Sequence, residues 1–165
     1  MKKNWLVLLV LLLWAAPVSM LAQFQYTTNA DGLSAAITGY SGPSWDVEIP
    51  TNIDGFTVTG IGEKAFWESD LQSVVVPSTV TSIGAEAFED CIALGSVGIS
   101  ESVTNIGSGA FFNCNYLTSI YFQGNEPTAD TTVFSIPPHN FDPVTIYYLP
   151  GTTGWSASFA GCPTA

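Results

Sequence analysis

The sequence predicts a repeat solenoid dominated by β-strands, in which similar coils stack and pair their strands in parallel. The first observation is an internal repeat, because the consecutive segments 71–93 and 94–116 are identical at ten positions. The second is that phenylalanines 66, 88, 111 and 134 recur at nearly equal intervals, in step with that repeat. The third is composition, since 47% of the residues are hydrophobic and 10% are charged, which is typical of a packed chain. One unit of this length cannot bury its own apolar side, whereas stacked units share a continuous core.

Residues 1–22 have the order of features found in a secretory signal peptide. Lys2 and Lys3 form a basic start, residues 5–16 are almost entirely apolar, and the small residue Ala22 precedes the expected cleavage point. A membrane anchor is the competing interpretation, but the apolar run is shorter than the roughly 20 residues that span a bilayer. We therefore expect cleavage after Ala22, a product that comprises residues 23–165 and is secreted or displayed at the cell surface, and no membrane span after cleavage.

The ends of a solenoid need caps, because an open end exposes apolar side chains and unpaired strand groups. Residues 23–48 are expected to form an N-terminal hairpin cap, since the turn sequence from Asn29 to Gly32 separates two runs of strand-forming residues. Residues 140–165 are expected to supply a last strand and the C-terminal cap, where Phe159 and Cys162 echo the spacing of a repeat. With no linker in between, residues 23–165 are interpreted as one domain.

The repeats are expected to occupy residues 49–139 in units of about 23 residues. In one unit, Leu71, Val74 and Val76 point to one side of an extended segment, and Ile83 and Phe88 return along the opposite wall. Parallel strands lie about 4.8 Å apart, so equivalent side chains of successive coils form ladders inside the stack. A glycine follows the isoleucine of each unit, where we expect it to supply a backbone corner that a larger residue would strain. These glycines are Gly62, Gly84 and Gly107.

The repeat resembles that of a known family. The pattern LxxVxIPxxVTxIGxxAFxxC, present over residues 71–91 and 94–114, is similar to the BspA-like leucine-rich repeat of secreted bacterial surface proteins. The opening DGLSAAITGY and the later stretch YYLPGTTGW resemble the first repeats and the C-terminal segment of that family. The resemblance implies a leucine-rich-repeat-like, right-handed superhelix with a parallel sheet on one face and short helical turns or second strands on the other. It also implies extracellular roles, mostly in adhesion or protein binding, and it transfers no catalytic residue.

The charge of the chain limits its partners. Residues 23–165 contain one lysine, Lys64, and no arginine against 14 carboxylates, a formal charge of −13. Such a surface has little with which to neutralise phosphates, so we expect neither nucleic acid nor an anionic membrane as a partner. The carboxylates are interpreted as keeping an apolar stack soluble.

Catalytic and cofactor chemistry finds little support in the sequence. Hydrolysis needs a base beside a nucleophile, and His139, the one histidine, lies in a turn-like stretch with two prolines. Residues 60–65 match a dinucleotide-loop pattern, but the repeat places Ser82 where Gly60 stands, so the first glycine of that pattern is incidental. No spacing of cysteine, histidine and carboxylate residues matches a metal motif. We expect no enzyme activity, no cofactor and no metal site.

The three cysteines leave two interpretations open. Cys91 and Cys114 occupy the same repeat position, which brings their Cα atoms to roughly 5 Å, within the range of a disulfide. Their side chains are expected to run parallel, so buried free thiols are favoured over a bridge.

The outward positions of the predicted sheet define a candidate ligand face. One column of this face runs through Val75, Gly98, Tyr121 and Tyr147, a second through Gln72, Gly95 and Thr118, and a third through Ser73, Ser96 and Ser119. The two glycines are expected to leave a notch beside Tyr121, and exposed rings next to small polar groups suit contacts with proteins or sugars. We hypothesise that Tyr121 and Tyr147 anchor a partner. Ordinary cross-strand packing between the two tyrosines is the alternative.

Together these features favour a secreted, non-enzymatic recognition or adhesion module that is monomeric and binds an extracellular protein or carbohydrate through its parallel-sheet face. The alternative from another functional class is a structural or self-assembling solenoid with no dedicated ligand.

Overall fold

The computed structural model describes residues 23–43, 45–134 and 144–165, which form a β-solenoid of about five turns. The expected signal peptide, His139 and the end of the expected repeat region lie outside these ranges. Within them, short strands alternate with turns, no α-helix forms, and no segment is a helix able to cross a membrane. The strands are β1 (Phe24–Thr28), β2 (Ser34–Tyr40), β3 (Asp46–Glu48), β4 (Asn52–Ile53), β5 (Phe56–Ile61), β6 (Ser73–Val76), β7 (Ser82–Ile83), β8 (Ser96–Ile99), β9 (Asn105–Ile106), β10 (Ser119–Phe122), β11 (Thr145–Tyr148), β12 (Ser158–Phe159) and β13 (Cys162–Pro163).

A five-stranded sheet in the order β11, β10, β8, β6, β3 forms one wall of the solenoid, and all its strands run parallel. Its strands alternate between the two faces, so that Val74 points into the core and Val75 points outward. The register follows the repeat, because Val97 of β8 lies between Val74 of β6 and Ile120 of β10. The prediction of a β-dominated repeat solenoid with a parallel sheet on one face is confirmed.

The opposite wall is a six-stranded sheet with parallel and antiparallel parts. β2, β5, β7 and β9 pair in parallel, whereas β1 joins β2 as an antiparallel hairpin and β4 folds back on β5. β7 and β9 are only two residues long, and turns carry the chain from each of them toward the next coil. The family resemblance implied short helical turns or second strands on this side, and the chain has second strands joined by turns.

A ladder of phenylalanines runs through the core. The ring centroids lie 4.8 Å apart between Phe66 and Phe88, 5.2 Å between Phe88 and Phe111, and 5.9 Å between Phe111 and Phe134, and the rings are nearly parallel. Phe159 does not extend this ladder, because its ring meets that of Phe134 edge-on at 69°. The spacing that echoed a repeat at residues 159–162 belongs instead to the small hairpin of β12 and β13, which closes the end of the stack.

The glycines that follow the isoleucines are needed for a different reason than the sequence suggested. A larger residue would be strained at Gly62, Gly84 and Gly107, as expected, but the left-handed conformation that favours glycine is not the cause, because none of the three adopts it. A Cβ atom would instead lie 2.9 Å from the carbonyl oxygen of Ile37 at Gly62 and 2.5 Å from the backbone nitrogen of Ala85 at Gly107. These positions lack a side chain because the backbone of the previous coil passes directly against them.

The three cysteines are buried free thiols. The Sγ atoms of Cys91 and Cys114 donate hydrogen bonds to the carbonyl oxygens of Phe66 and Phe88, at 3.0 and 3.1 Å. Burial raises the pKa of the Cys91 thiol to about 12, which keeps it protonated and unreactive at neutral pH. The thiols of Cys91 and Cys114 therefore link their coils to the preceding ones as small apolar groups with a weak donor.

Candidate functional site

The aromatic column predicted from the sequence lies on the outer face of the five-stranded sheet. Val75, Gly98, Tyr121 and Tyr147 are aligned across β6, β8, β10 and β11 by the parallel register. About half of the Tyr121 side chain and two fifths of the Tyr147 side chain remain exposed. The structure therefore brings these four expected residues together on one surface.

Tyr121 and Tyr147 stack on each other. Their ring centroids are 5.0 Å apart and the planes are inclined by 13°, because β10 and β11 pair in register. The cross-strand packing considered as an alternative thus occurs, and it occupies one face of the Tyr121 ring. The other face points along the column toward Gly98.

Gly98 leaves a slot in the column. Its backbone does not have a positive φ, and a Cβ atom would make only ordinary contacts, the nearest at 3.8 Å from Val75. Neither conformation nor space requires glycine at this position, although glycine weakens a strand interior. The missing side chain opens a gap between Val75 and Tyr121, which stand two strands apart and therefore about 10 Å from each other.

The second expected column lies three residues before this slot along each strand, on the far side of the serine column. Backbone hydrogen bonds connect Gln72 to Trp45, Gly95 to Gln72 and Thr118 to Gly95, so the column begins with the exposed Trp45. A Cβ atom on Gly95 would come no closer than 3.6 Å to another residue, so this glycine too leaves open surface.

An open depression of about 490 Å³ lies over this second column. It is lined by Gln72, Ala93, Gly95 and Tyr116, and Tyr116 is 72% exposed. The columns predicted from the sequence did not include Trp45, Ala93 or Tyr116, because in each coil they started at Gln72 or the residue equivalent to it. The repeat, which places Tyr116 where Ala93 stands in the previous coil, was the signal that could have found these two residues.

The polar groups of this face suit binding. The serine column lies between the other two columns, and Ser73 donates a hydrogen bond of 2.7 Å to the carboxylate of Asp46 at one end of the face. Ser96 and Ser119 continue the column beside the aromatic residues. Rings, hydroxyls and bare backbone can hold a ligand, but the described residues of this face include no base beside a nucleophile of the kind that hydrolysis needs. Across the part of the chain that the structure describes, no group of three or more His, Cys, Asp or Glu side chains is placed to hold a metal ion.

Comparisons with known proteins agree with the repeat. The family model described as BspA type leucine-rich repeat region, in six copies, matches residues 48–145. A leucine-rich repeat protein from Bacteroides capillosus ATCC 29799 has a crystal structure that is similar at 30% identity and a TM-score of 0.62, over 77% of this chain and 94% of that one. A leucine-rich cell surface protein from Faecalibacterium prausnitzii A2-165 is similar at 29% identity and a TM-score of 0.59, over 79% of this chain. This chain spans 36% of the length of the Faecalibacterium protein. No curated protein matches this chain.

The match to the family model includes the strands that carry Val75, Gly98 and Tyr121, ends before Tyr147, and extends over more than half of the sequence. Repeat modules of this family are typically non-catalytic. The resemblance recognised in the sequence is therefore confirmed, and the chain belongs to the BspA-type leucine-rich repeat family.

Proposed function

We propose that this protein is a secreted or surface-displayed recognition module, without enzyme activity, that binds an extracellular protein or carbohydrate through the outer face of its five-stranded sheet. The observation that carries the proposal is the free face of the Tyr121 ring above Gly98. A flat group, either an aromatic side chain or a sugar ring, fits this position.

A ligand ring at this position would continue the stack of Tyr121 and Tyr147. Rings at successive positions of a parallel sheet lie about one strand spacing apart, as Tyr121 and Tyr147 do at 5.0 Å. A ligand ring over Gly98 would take the next position, with Tyr121 on one side and Val75 on the other. Such a contact buries a large apolar area at little cost in conformational entropy, since the tyrosine is already held by its neighbour.

The surroundings supply hydrogen bonds to the same ligand. Ser96 and Ser119 stand in the neighbouring outward column of the same strands, and hydroxyl groups both donate and accept. Gln72 and Tyr116 extend polar contacts into the adjoining depression. The face therefore combines aromatic and polar groups in the way that binding surfaces for proteins and sugars do.

Exposure outside the cell has support of its own. Residues 1–22 have the features of a signal peptide, and one of the similar solved structures is described as a cell surface protein. A low-cation, acidic surface also favours a soluble exterior protein over one that binds phosphate-rich partners.

The proposal is tested with a glycan array and with affinity capture from culture medium, using residues 23–165 and three variants. Gly98→Val fills the slot while keeping the β-branched type of Val75, so we expect a folded protein that has lost its ligand. Tyr121→Ala combined with Tyr147→Ala should lose the ligand as well. Trp67→Ala removes a comparably exposed ring outside this face and should bind like the wild type. Ligands retained in full by both Gly98→Val and the double tyrosine variant would show that this face is not the binding surface.

A further inference from the structure

Two carboxylates on the turns outside the sheet face hold the one lysine of residues 23–165. The Nζ atom of Lys64 lies 2.9 Å from Oε2 of Glu86 and 3.9 Å from Oε2 of Glu89. The same ammonium group lies 5.8 Å from the centre of the Trp67 ring. An ammonium, two carboxylates and an aromatic ring thus form one compact arrangement.

The repeat places a second ring on the other side of the same carboxylates. Lys64, Glu86 and Gly109 are equivalent positions of successive coils, as are Trp67, Glu89 and Phe112. Backbone hydrogen bonds from Lys64 to Ala85 and from Glu86 to Ser108 keep these coils in register. Glu86 and Glu89 are therefore flanked by a lysine and a tryptophan in the coil before, and by a glycine and a phenylalanine in the coil after.

A depression lies beside Gly109, which stands at the repeat position of Lys64 and has no side chain to fill the space. It has a volume of about 280 Å³, and its lining residues are Glu86, Glu89, Ser108, Gly109, Phe112 and Thr132. A Cβ atom on Gly109 would meet only Glu86 Cγ at 3.4 Å and Phe112 Cβ at 3.7 Å, so the space beyond it is open. The Phe112 ring, 46% exposed, forms the wall that corresponds to Trp67 on the occupied side.

The charges of the depression favour a cation. Glu86 and Glu89 share a single ammonium group, that of Lys64. The pKa of the Glu89 carboxyl is raised, mainly because the group is partly buried and also because the charge of Glu86 is close. Asp130 adds a carboxylate at the rim, where it accepts hydrogen bonds from Ser108 and Thr132. Residues 23–165 contain no lysine or arginine besides Lys64, so no other cationic side chain of this part of the chain pairs with these carboxylates.

We propose that this depression, the Glu86–Glu89 pocket, binds a lysine side chain of a partner protein. The ammonium group of that side chain would contact Glu86 and Glu89 from the side opposite to Lys64. The aromatic wall favours an organic cation, because a ring attracts an ammonium group that is partly stripped of water. A bare metal ion finds no set of three ligating side chains among the described residues. The pocket lies outside the sheet face, so it stands independently of the function proposed above.

The test is an NMR titration of the labelled protein with Nα-acetyl-lysine methylamide, following the ring signals of Phe112 and the side-chain carboxyl signals of Glu86 and Glu89. We expect saturable shifts with a dissociation constant on the order of millimolar, weakened by added salt as exposed ion pairs are. The Nζ-acetylated form of the same probe, which has no charge, should give no saturable shift.

Three variants complete the test. Glu86→Gln combined with Glu89→Gln should weaken binding of the lysine probe at least tenfold. Gly109→Lys should also weaken binding of the probe, because the new lysine places its own ammonium group beside the carboxylates. This variant should fold, because Lys64 adopts nearly the same φ, 55° against 64° at Gly109. Glu101→Gln removes one carboxylate at another turn and should bind normally.

Equal shifts with the neutral probe, or normal binding by the double glutamine variant, would overturn the proposal. So would calcium chloride shifting the same signals at lower concentration than the lysine probe, since the pocket would then be a metal site.

Discussion

At the scale of single residues, each coil makes two of its turns through the left-handed conformation. Residues other than glycine, asparagine and aspartate avoid this conformation, at a cost of roughly 1–2 kcal/mol. The first series of left-handed positions is Lys64 (φ 55°), Glu86 (φ 55°) and Gly109 (φ 64°), and the second is Glu68 (φ 54°), Asp90 (φ 60°) and Asn113 (φ 58°). Lys64, Glu86 and Glu68 are not among the residue types that tolerate this conformation, so substitution at these positions can recover stability.

Glu68 offers the clearest test of this strain. Glu68→Gly should raise the free energy of unfolding by about 0.5–1 kcal/mol, because relief of the left-handed side chain outweighs the added freedom of the unfolded chain. Urea denaturation of residues 23–165 measures the change. Glu101→Gly is the control, since Glu101 is exposed and does not have a positive φ, and it should lower stability instead. A loss of stability in both variants would contradict the account.

At the scale of elements, the coils meet through two kinds of glycine. Gly84 and Gly107 lie against the backbone of the previous coil, whereas Gly95 and Gly98 lie on open sheet surface. The first kind sets how closely coils approach, and the second kind shapes the candidate ligand face. The repeat separates them in the sequence, because the first kind recurs after the isoleucine of each unit, whereas neighbouring units have larger residues where Gly95 and Gly98 stand.

A matched pair of alanine substitutions distinguishes the two kinds. Gly107→Ala places a Cβ atom 2.5 Å from a backbone nitrogen and should reduce stability by about 1–3 kcal/mol, since two coils have to move apart. Gly98→Ala places the same atom in open contact and should leave stability unchanged or slightly raised, because alanine suits a strand better than glycine. Thermal unfolding followed by circular dichroism gives both values. Equal losses would show that the coils tolerate the extra atom at Gly107.

Most of the fold could be predicted from the sequence because a repeat fixes its own register. Once Phe66, Phe88 and Phe111 are aligned, their ladder and the parallel sheet follow from the spacing of strands. The outward column of Tyr121 could be predicted for the same reason. The Glu86–Glu89 pocket could not, because it depends on the side chain that Gly109 lacks and on where Lys64 points, which is a matter of three-dimensional packing.

At the scale of the whole molecule, both ends of the stack are closed. The ring of Tyr40 lies 5.3 Å from that of Phe66 at one end, in the hairpin of β1 and β2. At the other end, Trp155 stacks on Tyr148 at 5.0 Å and donates a hydrogen bond from Nε1 to the carbonyl oxygen of Gly124. Ends covered in this way by the described residues oppose the addition of a second molecule that would continue the solenoid.

Light scattering tests this closure. Residues 23–165 should remain monomeric over a wide range of concentration, whereas a chain ending at residue 153 should associate, because it loses Trp155 together with β12 and β13 and uncovers the ring of Phe122. Both chains begin at residue 23 and are measured in the same buffer, so a difference between them comes from the C-terminal residues. Rods that lengthen with concentration in the longer chain would favour the structural, self-assembling alternative over the recognition module.

The uniform phenylalanine ladder also bears on how such a molecule can change its size. Because Phe66 meets Phe88 much as Phe88 meets Phe111, an inserted coil finds a matching neighbour on each side. An in-frame duplication of one repeat unit would lengthen the sheet by about 4.8 Å and leave both caps untouched. The extent of the binding face is thus a quantity that gene duplication and deletion adjust in whole steps, without redesign of the core.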